Sequence, residues 1–82
     1  MNNDTHDRFR DVAIDREPIE LHQLLKLAEL TASGGEAKFA IAQGQVRVNG
    51  QVETRKRKKI MAGDLVEFAG TRLRVTCPHS LL

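Results

Sequence analysis

Two short stretches of this sequence hold the residues best placed to do chemistry. Ser33-Gly34-Gly35-Glu36-Ala37-Lys38 sets a hydroxyl and two glycines at the opening of a helical pattern. The first amides of a helix have no partner within it, and the aligned peptide dipoles place positive potential there. Glycine removes the Cβ that would hold an anion away, the Ser33 hydroxyl is able to donate, and Lys38 adds a full charge about one turn later. Ser33, Gly34, Gly35 and Lys38 are therefore a candidate phosphate cradle. The second stretch is Arg55-Lys56-Arg57-Lys58-Lys59, five consecutive cations. Such a run attracts a polyanion. Each stretch also has a plainer reading: a glycine connector between two helices, and a solvated strand that keeps the chain soluble.

Catalytic constellations are missing. His6, His22 and His79 are scattered along the chain. There is no G-x-S-x-G, phosphate-binding Walker loop or H-E-x-x-H. Cys77-Pro78-His79 offers two metal-ligand types without a second pair, which reads as an ordinary strand end. Asp64 beside Gly63 reads as a turn residue. The expectation is a binding protein and not an enzyme, with no cofactor, no metal and no small-molecule substrate.

The bulk properties agree with binding. Eighty-two residues make one domain with a modest core, and 40% are hydrophobic. No apolar run approaches the roughly 18 residues that cross a bilayer, and no signal-peptide pattern is present, so no membrane partner is expected. A lone cysteine, Cys77, fits a reducing cytoplasm. The net charge of +2 conceals an asymmetry. Residues 1–17 carry three basic and five acidic side chains; residues 18–82 carry ten and six.

These residues need elements to position them. Residues 1–8 read as a mobile tail, residues 9–77 as the single domain and 78–82 as a C-terminal tail. Phe9 to Ile14 alternates loosely, as an edge strand does. Pro18 suits the opening of a helix. Leu21, Leu24, Leu25 and Ala28 form one apolar helical face, widened by Leu27, with His22, Gln23, Lys26 and Glu29 opposite. The helix is expected to end near Leu30. A second helix starts at Ser33, where the hydroxyl and Glu36 fit a capping box: Ser33 accepts from the Glu36 amide and the carboxylate reaches back to the Ser33 amide. Ala37, Ala40, Ile41 and Gly44 share its inner face, and Gly44 ends it.

The period then changes from 3.6 to 2. Val46 and Val48 point one way, Arg47 and Asn49 the other. Asn49-Gly50 favours a two-residue type I′ turn, which pairs Val48 with Gln51 and puts Val52 on the Arg47 face. A three-residue loop pairing Val48 with Val52 is the alternative, and the register stays open. In a strand, Arg55, Arg57 and Lys59 would share one face and Lys56 and Lys58 the other, so at most about half the run serves one flat surface unless the segment is irregular. Lys26 is placed to add charge from the side. Leu65-Val66-Glu67-Phe68 and Leu73-Arg74-Val75-Thr76 complete the strands. The fold class is α+β: two short helices packed on a small antiparallel sheet. Of the rings, Phe39 and Phe68 fall in apolar patterns and are assigned to the core. A cationic surface without stacking rings suits a folded RNA backbone recognised by shape and phosphate position.

The combined pattern resembles a known family. Ser33, Glu36-Ala37-Lys38, Ile41, Gln43-Gly44, Val46, Val48-Asn49-Gly50 and Gly63-Asp64 match the S-four RNA-binding domain, or alpha-L motif, over roughly residues 19–70. "LLKLAEL", the Ser-Gly-Gly and "ETRKRKKIMAGD" look closest to its small stand-alone YbcJ-like branch. The resemblance implies binding of structured RNA — ribosomal RNA, transfer RNA or a ribosome-associated particle — with Ser33, Lys38, Arg47 and Asn49 as contacts. Large members attach this domain to a modifying enzyme, for which this chain has no room. Gly34 stands where the family often has arginine, and His22 where many members have aspartate; the 55–59 run is expected to supply the missing charge. Duplex DNA binding by a helix-turn-helix and docking of an acidic protein are the competing readings.

Overall fold

The computed structural model of the chain describes residues 9–78. The expected N-terminal tail, His6 and His79 lie outside them, as does the expected C-terminal tail apart from Pro78. The described elements run β1 (Arg10–Ala13), β2 (Ile19–Glu20), α1 (Leu21–Leu27), α2 (Gly34–Ala42), β3 (Val46–Val48), β4 (Gln51–Val52), β5 (Lys59–Ile60), β6 (Leu65–Phe68) and β7 (Thr71–Thr76). The main sheet has the order β1-β7-β6-β3-β4, and β2 pairs with β5 apart from it. The expected antiparallel sheet holds for β3–β4, β3–β6 and β6–β7. β1 departs from it, running parallel to β7 with Arg10 opposite Leu73, so the sheet is mixed. An alternating pattern fixes which face a strand buries; it carries no information on the direction of a partner so distant in the chain.

Alternation does set the core. Val46, Val48, Val66, Leu73 and Val75 turn inward to meet Leu21, Leu24 and Leu25 from α1 and Ala37 and Ile41 from α2. Most of these are fully enclosed, and each large aliphatic so placed contributes about 1.5–3 kcal/mol. Both helices therefore lie on one side of the sheet, and Arg47 stays exposed on the other.

The first helix differs from expectation at both ends. The two-residue strand β2 intervenes between Pro18 and α1, so Pro18 does not open the helix. The cap is Glu20, whose amide donates to Gln23 Oε1 at 3.2 Å. α1 stops at Leu27, short of Leu30, because Glu29 takes a left-handed φ of 61°. The Leu30 amide then closes the turn onto the Leu25 carbonyl. The Arg10 guanidinium donates to the Ala28 carbonyl, a cation at the negative end of the helix. Leu27 does not widen the buried stripe: it is 52% exposed. The His22 side chain is mostly enclosed, with Nε2 paired to Glu20 Oε1 at 2.8 Å.

The turn at Asn49-Gly50 is settled. Their φ values are 52° and 86°, and Arg47 faces Val52 while Val48 faces Gln51, the two-residue register. Val52 accordingly lies on the Arg47 face, in solvent. A second two-residue turn, Ala69-Gly70, joins β6 to β7 with φ values of 53° and 82°.

Candidate nucleic-acid interface

The cationic run is not a strand until its last residue. Between β4 and β5 the chain turns, with the Lys58 amide donating to the Arg55 carbonyl at 3.1 Å. The carbonyls of Lys58 and Lys56 accept from the Leu21 and His22 amides at 2.9 and 3.1 Å. Those amides belong to the first turn of α1 and have no partner inside the helix. The loop backbone is thus pinned to the helix opening while its side chains reach outward. The segment is the irregular case, in which the strand alternation does not divide the run between two faces. All of residues 55–59 border one open groove of about 960 Å³, completed by Thr54 and by Lys38, Phe39 and Ala42 of α2.

The electrostatics of the groove are one-sided. Arg55 is matched by Glu53: Nε and Nη2 reach the two carboxylate oxygens at 2.9 and 3.1 Å, and the Arg55 amide adds a bond of 3.0 Å. The Arg55 side-chain bonds are the main reason that the Glu53 carboxyl is held down to about 2 and the Arg55 guanidinium is raised. Lys38, Lys56, Arg57, Lys58 and Lys59 have no carboxylate within ion-pair distance among the described residues.

Ser33, Gly34 and Gly35, at the opening of α2, do not line this groove. Gly34 and Gly35 precede Lys38 and Phe39 by four residues, hence by one turn on the same face. A Cβ at Gly34 would meet nothing within 4 Å, and one at Gly35 only the Ser33 Oγ at 3.9 Å. The space on the Cβ side of these glycines is open. Ser33 Oγ accepts from the Glu36 amide at 3.1 Å, as expected. The Glu36 carboxylate, however, accepts from the Ala32 amide at 2.6 Å instead of from Ser33. A negative charge therefore sits beside the glycines.

Two other sequence candidates lie elsewhere. Arg47 is on the outer face of the sheet, in a shallow concavity of about 300 Å³ with Gln45, Glu67 and Arg72. Its guanidinium makes a long contact of 3.5 Å to the Gly50 carbonyl. Asn49 is engaged within the fold: its amide nitrogen donates to Asp64 Oδ1 at 3.2 Å and its oxygen accepts from the Leu65 amide at 3.0 Å. Asp64 Oδ2 in turn accepts from the Met61 amide at 2.8 Å, which makes Asp64 the turn residue expected of it. The Val-Asn-Gly and Gly-Asp pieces of the motif are one hydrogen-bonded brace. Lys26, on the last turn of α1, does not line the groove.

Phe39 is the residue that the sequence reading misplaced. It is 64% exposed and not in the core, whereas Phe68 packs against the core. The signal was present: Ala37, Ala40 and Ile41 define the inner face of α2, and a residue two positions past Ala37 points the other way. Among the described residues no group of three or more histidine, cysteine or acidic side chains is placed to hold a metal, and no helix is long and apolar enough to cross a membrane.

Comparison with known proteins agrees with this architecture. A family model described as S4 domain matches residues 12–76. YbcJ of Escherichia coli (strain K12), named for RNA binding, is 58% identical over 57 residues, 70% of this chain and 81% of its own length. RlbA of Bacillus subtilis (strain 168), named for ribosome maturation, is 42% identical over 59 residues, 72% of this chain and 83% of its own. The solution structure of the E. coli YbcJ, described as an alpha-L motif involved in RNA binding, aligns with a TM-score of 0.65 at 48% identity, covering 85% of this chain and 90% of that one. The sequence pattern, the helix pair on its sheet and these matches together make this chain a member of the S4 domain family.

Proposed function

We propose that this domain binds structured RNA — ribosomal, transfer or ribosome-associated — by gripping backbone phosphates in the groove between α2 and residues 54–59, and that it acts as a cytoplasmic binding module without chemistry of its own. The observation that carries this reading is the convergence of Lys38 with Lys56, Arg57, Lys58 and Lys59 on one groove, none of them in an ion pair with a carboxylate among the described residues. Arg55 takes a smaller share because Glu53 already holds it. The amides of Gly34 and Gly35, with the Ser33 hydroxyl, extend the phosphate track at the α2 end. Arg47 serves at most a separate contact on the outer face, and Asn49 supports the fold. The names of the relatives, for RNA binding and for ribosome maturation, point to the same class of partner.

Titration of a labelled RNA hairpin at several salt concentrations tests this. With about five phosphates neutralised, log affinity falls against log salt with a slope near −4, so a fourfold rise in salt weakens binding about 200-fold. A slope near zero, or a duplex DNA of equal length winning the competition, overturns the reading. So does a protein complex recovered from cells that survives nuclease treatment while no RNA is bound.

A further inference from the structure

The groove holds something that a grip on phosphates does not require. Phe39 is more exposed than Leu27, Val52 or Met61, the other large apolar side chains in solvent among the described residues. A single exposed apolar residue is ordinary on a protein surface. This one, however, forms part of the wall of the cationic groove, with Lys38 before it and Ala42 one turn beyond. Its ring does not cover Gly35 one turn earlier, since nothing but Ser33 Oγ comes within 4 Å of a Cβ placed there. Nor is it occupied by a neighbouring cation: among the described residues the cation–ring contact is Arg72 over Phe9, on another part of the molecule. The small Ala42 side chain leaves the adjoining wall low. The groove, at about 960 Å³, is at the upper end of the roughly 300–1,000 Å³ typical of ligand sites.

A ring with an open face between cations has a specific use. Proteins that hold unpaired nucleotides combine a positive track for the backbone with an aromatic platform for the base. We propose that the groove receives one unpaired nucleobase of the bound RNA, stacked on Phe39, while the flanking phosphates lie against Lys38 and residues 56–59. This rests on the RNA-binding reading and narrows its substrate class: the preferred RNA is folded but presents an extruded, bulged or terminal base at the groove. A fully paired helix, whose bases are stacked on one another, leaves the ring unused.

The test uses two RNA hairpins that differ only by one bulged 2-aminopurine, a fluorescent base whose emission falls on stacking. Wild-type protein binds the bulged hairpin about 5- to 150-fold more tightly than the paired one, and its binding quenches the probe. F39A removes both the preference and the quenching while leaving the salt slope near its wild-type value. F39L, which keeps apolar bulk without a π face, behaves like F39A; F39W retains both effects. Phe39 lies outside the core, so these variants fold, and circular dichroism checks that they do. If F39A binds the bulged RNA as tightly as wild type, with an undiminished salt slope, base stacking is overturned and the phosphate grip stands. If wild type binds neither hairpin in a salt-dependent manner, both readings fall together.

Discussion

The groove beside α2 and the outer face of the main sheet both carry several arginines or lysines, yet they treat the charge in opposite ways. On the sheet, Arg72 Nε bonds Glu67 at 2.9 Å and Arg74 Nε bonds Asp11 at 2.9 Å. Arg47 stands directly across from Glu67 in the β3–β6 register. The positive charge there is answered within the sheet by pairs of the kind that cross-strand neighbours form. In the groove, among the described residues, only Arg55 is ion-paired, and Lys59 alone stands across from an acid, Glu20, in the β2–β5 register. Concentrating like charges on one irregular loop raises its self-repulsion. The backbone bonds from residues 56 and 58 to the opening of α1 hold the loop in place despite this. Basic residues alone are therefore a poor guide to a binding surface; basic residues without acidic neighbours in space are a better one.

The largest expected effect follows directly from that contrast. Replacing Lys56, Arg57 and Lys59 by Gln removes three of the proposed phosphate contacts, which is expected to flatten the salt slope by about 2 to 2.7. A fourfold rise in salt then costs about 8-fold in RNA affinity instead of about 200-fold. The double variant R47Q/R74Q, on the paired face, shifts the slope by less than 1. Fluorescence anisotropy across a salt series reads both. Equal shifts for the two variants would erase the distinction between the faces.

Asn49 separates binding from folding within the family motif. N49A removes both arms of the brace to Asp64 and Leu65 and puts alanine at a φ of 52°. Loss of the hydrogen bonds and the left-handed backbone together destabilise the domain by about 1–3 kcal/mol. Denaturant unfolding measures this. Under conditions where the variant stays folded, its salt slope for RNA is that of wild type. A slope flattened as in the triple groove variant, with stability unchanged, would make Asn49 a contact residue after all.

How far the sequence could be read depends on whether neighbours in the chain or neighbours in space decide the outcome. The α2 cap and the Asn49-Gly50 turn are local events between residues three apart or fewer, and both were legible, although the register of the turn stayed open and the partner of the Glu36 carboxylate was off by one residue. The inward valines were legible for the same reason. The parallel pairing of β1 with β7 joins the two ends of the domain, and no local pattern encodes it. The shape of residues 55–59 was hidden because amides of α1, more than thirty residues earlier, bend the loop. Phe39 was misjudged although its helical position already placed it outside the buried face.

A smaller effect compares the two hairpin turns. Ala69-Gly70 has the same pair of positive φ values as Asn49-Gly50, but alanine pays for the left-handed backbone where asparagine tolerates it. A69N reproduces the Asn-Gly turn and stabilises the domain by about 0.5–1 kcal/mol, a rise in Tm of about 2–8 °C. RNA binding does not change, because Ala69 lies at the edge of the outer concavity and not in the groove. An unchanged or lower Tm would show that the strain is relieved elsewhere.

The smallest effect concerns Glu53, the acid ion-paired to the cationic loop among the described residues. The Arg55 guanidinium and amide hold the Glu53 carboxyl at about 2, below the usual 4.5. A carboxyl whose folded value is depressed contributes stability that is full above about 4.5 and is lost as the pH falls through about 2. The pair therefore supports the loop throughout the neutral range and releases it only in strong acid. Carbon-13 NMR of the Glu53 carboxylate gives a midpoint near 2 in wild type, and R55Q moves it up toward the ordinary glutamate value. Releasing Arg55 from the other side is the complementary change. E53Q leaves the guanidinium unmatched, like the other cations of the groove, and steepens the salt slope for RNA by up to about 0.9. A Glu53 midpoint near 4.5 in wild type would mean that Arg55 is already unmatched, and the contrast between the two faces of the molecule would then be greater than the ion pairs indicate.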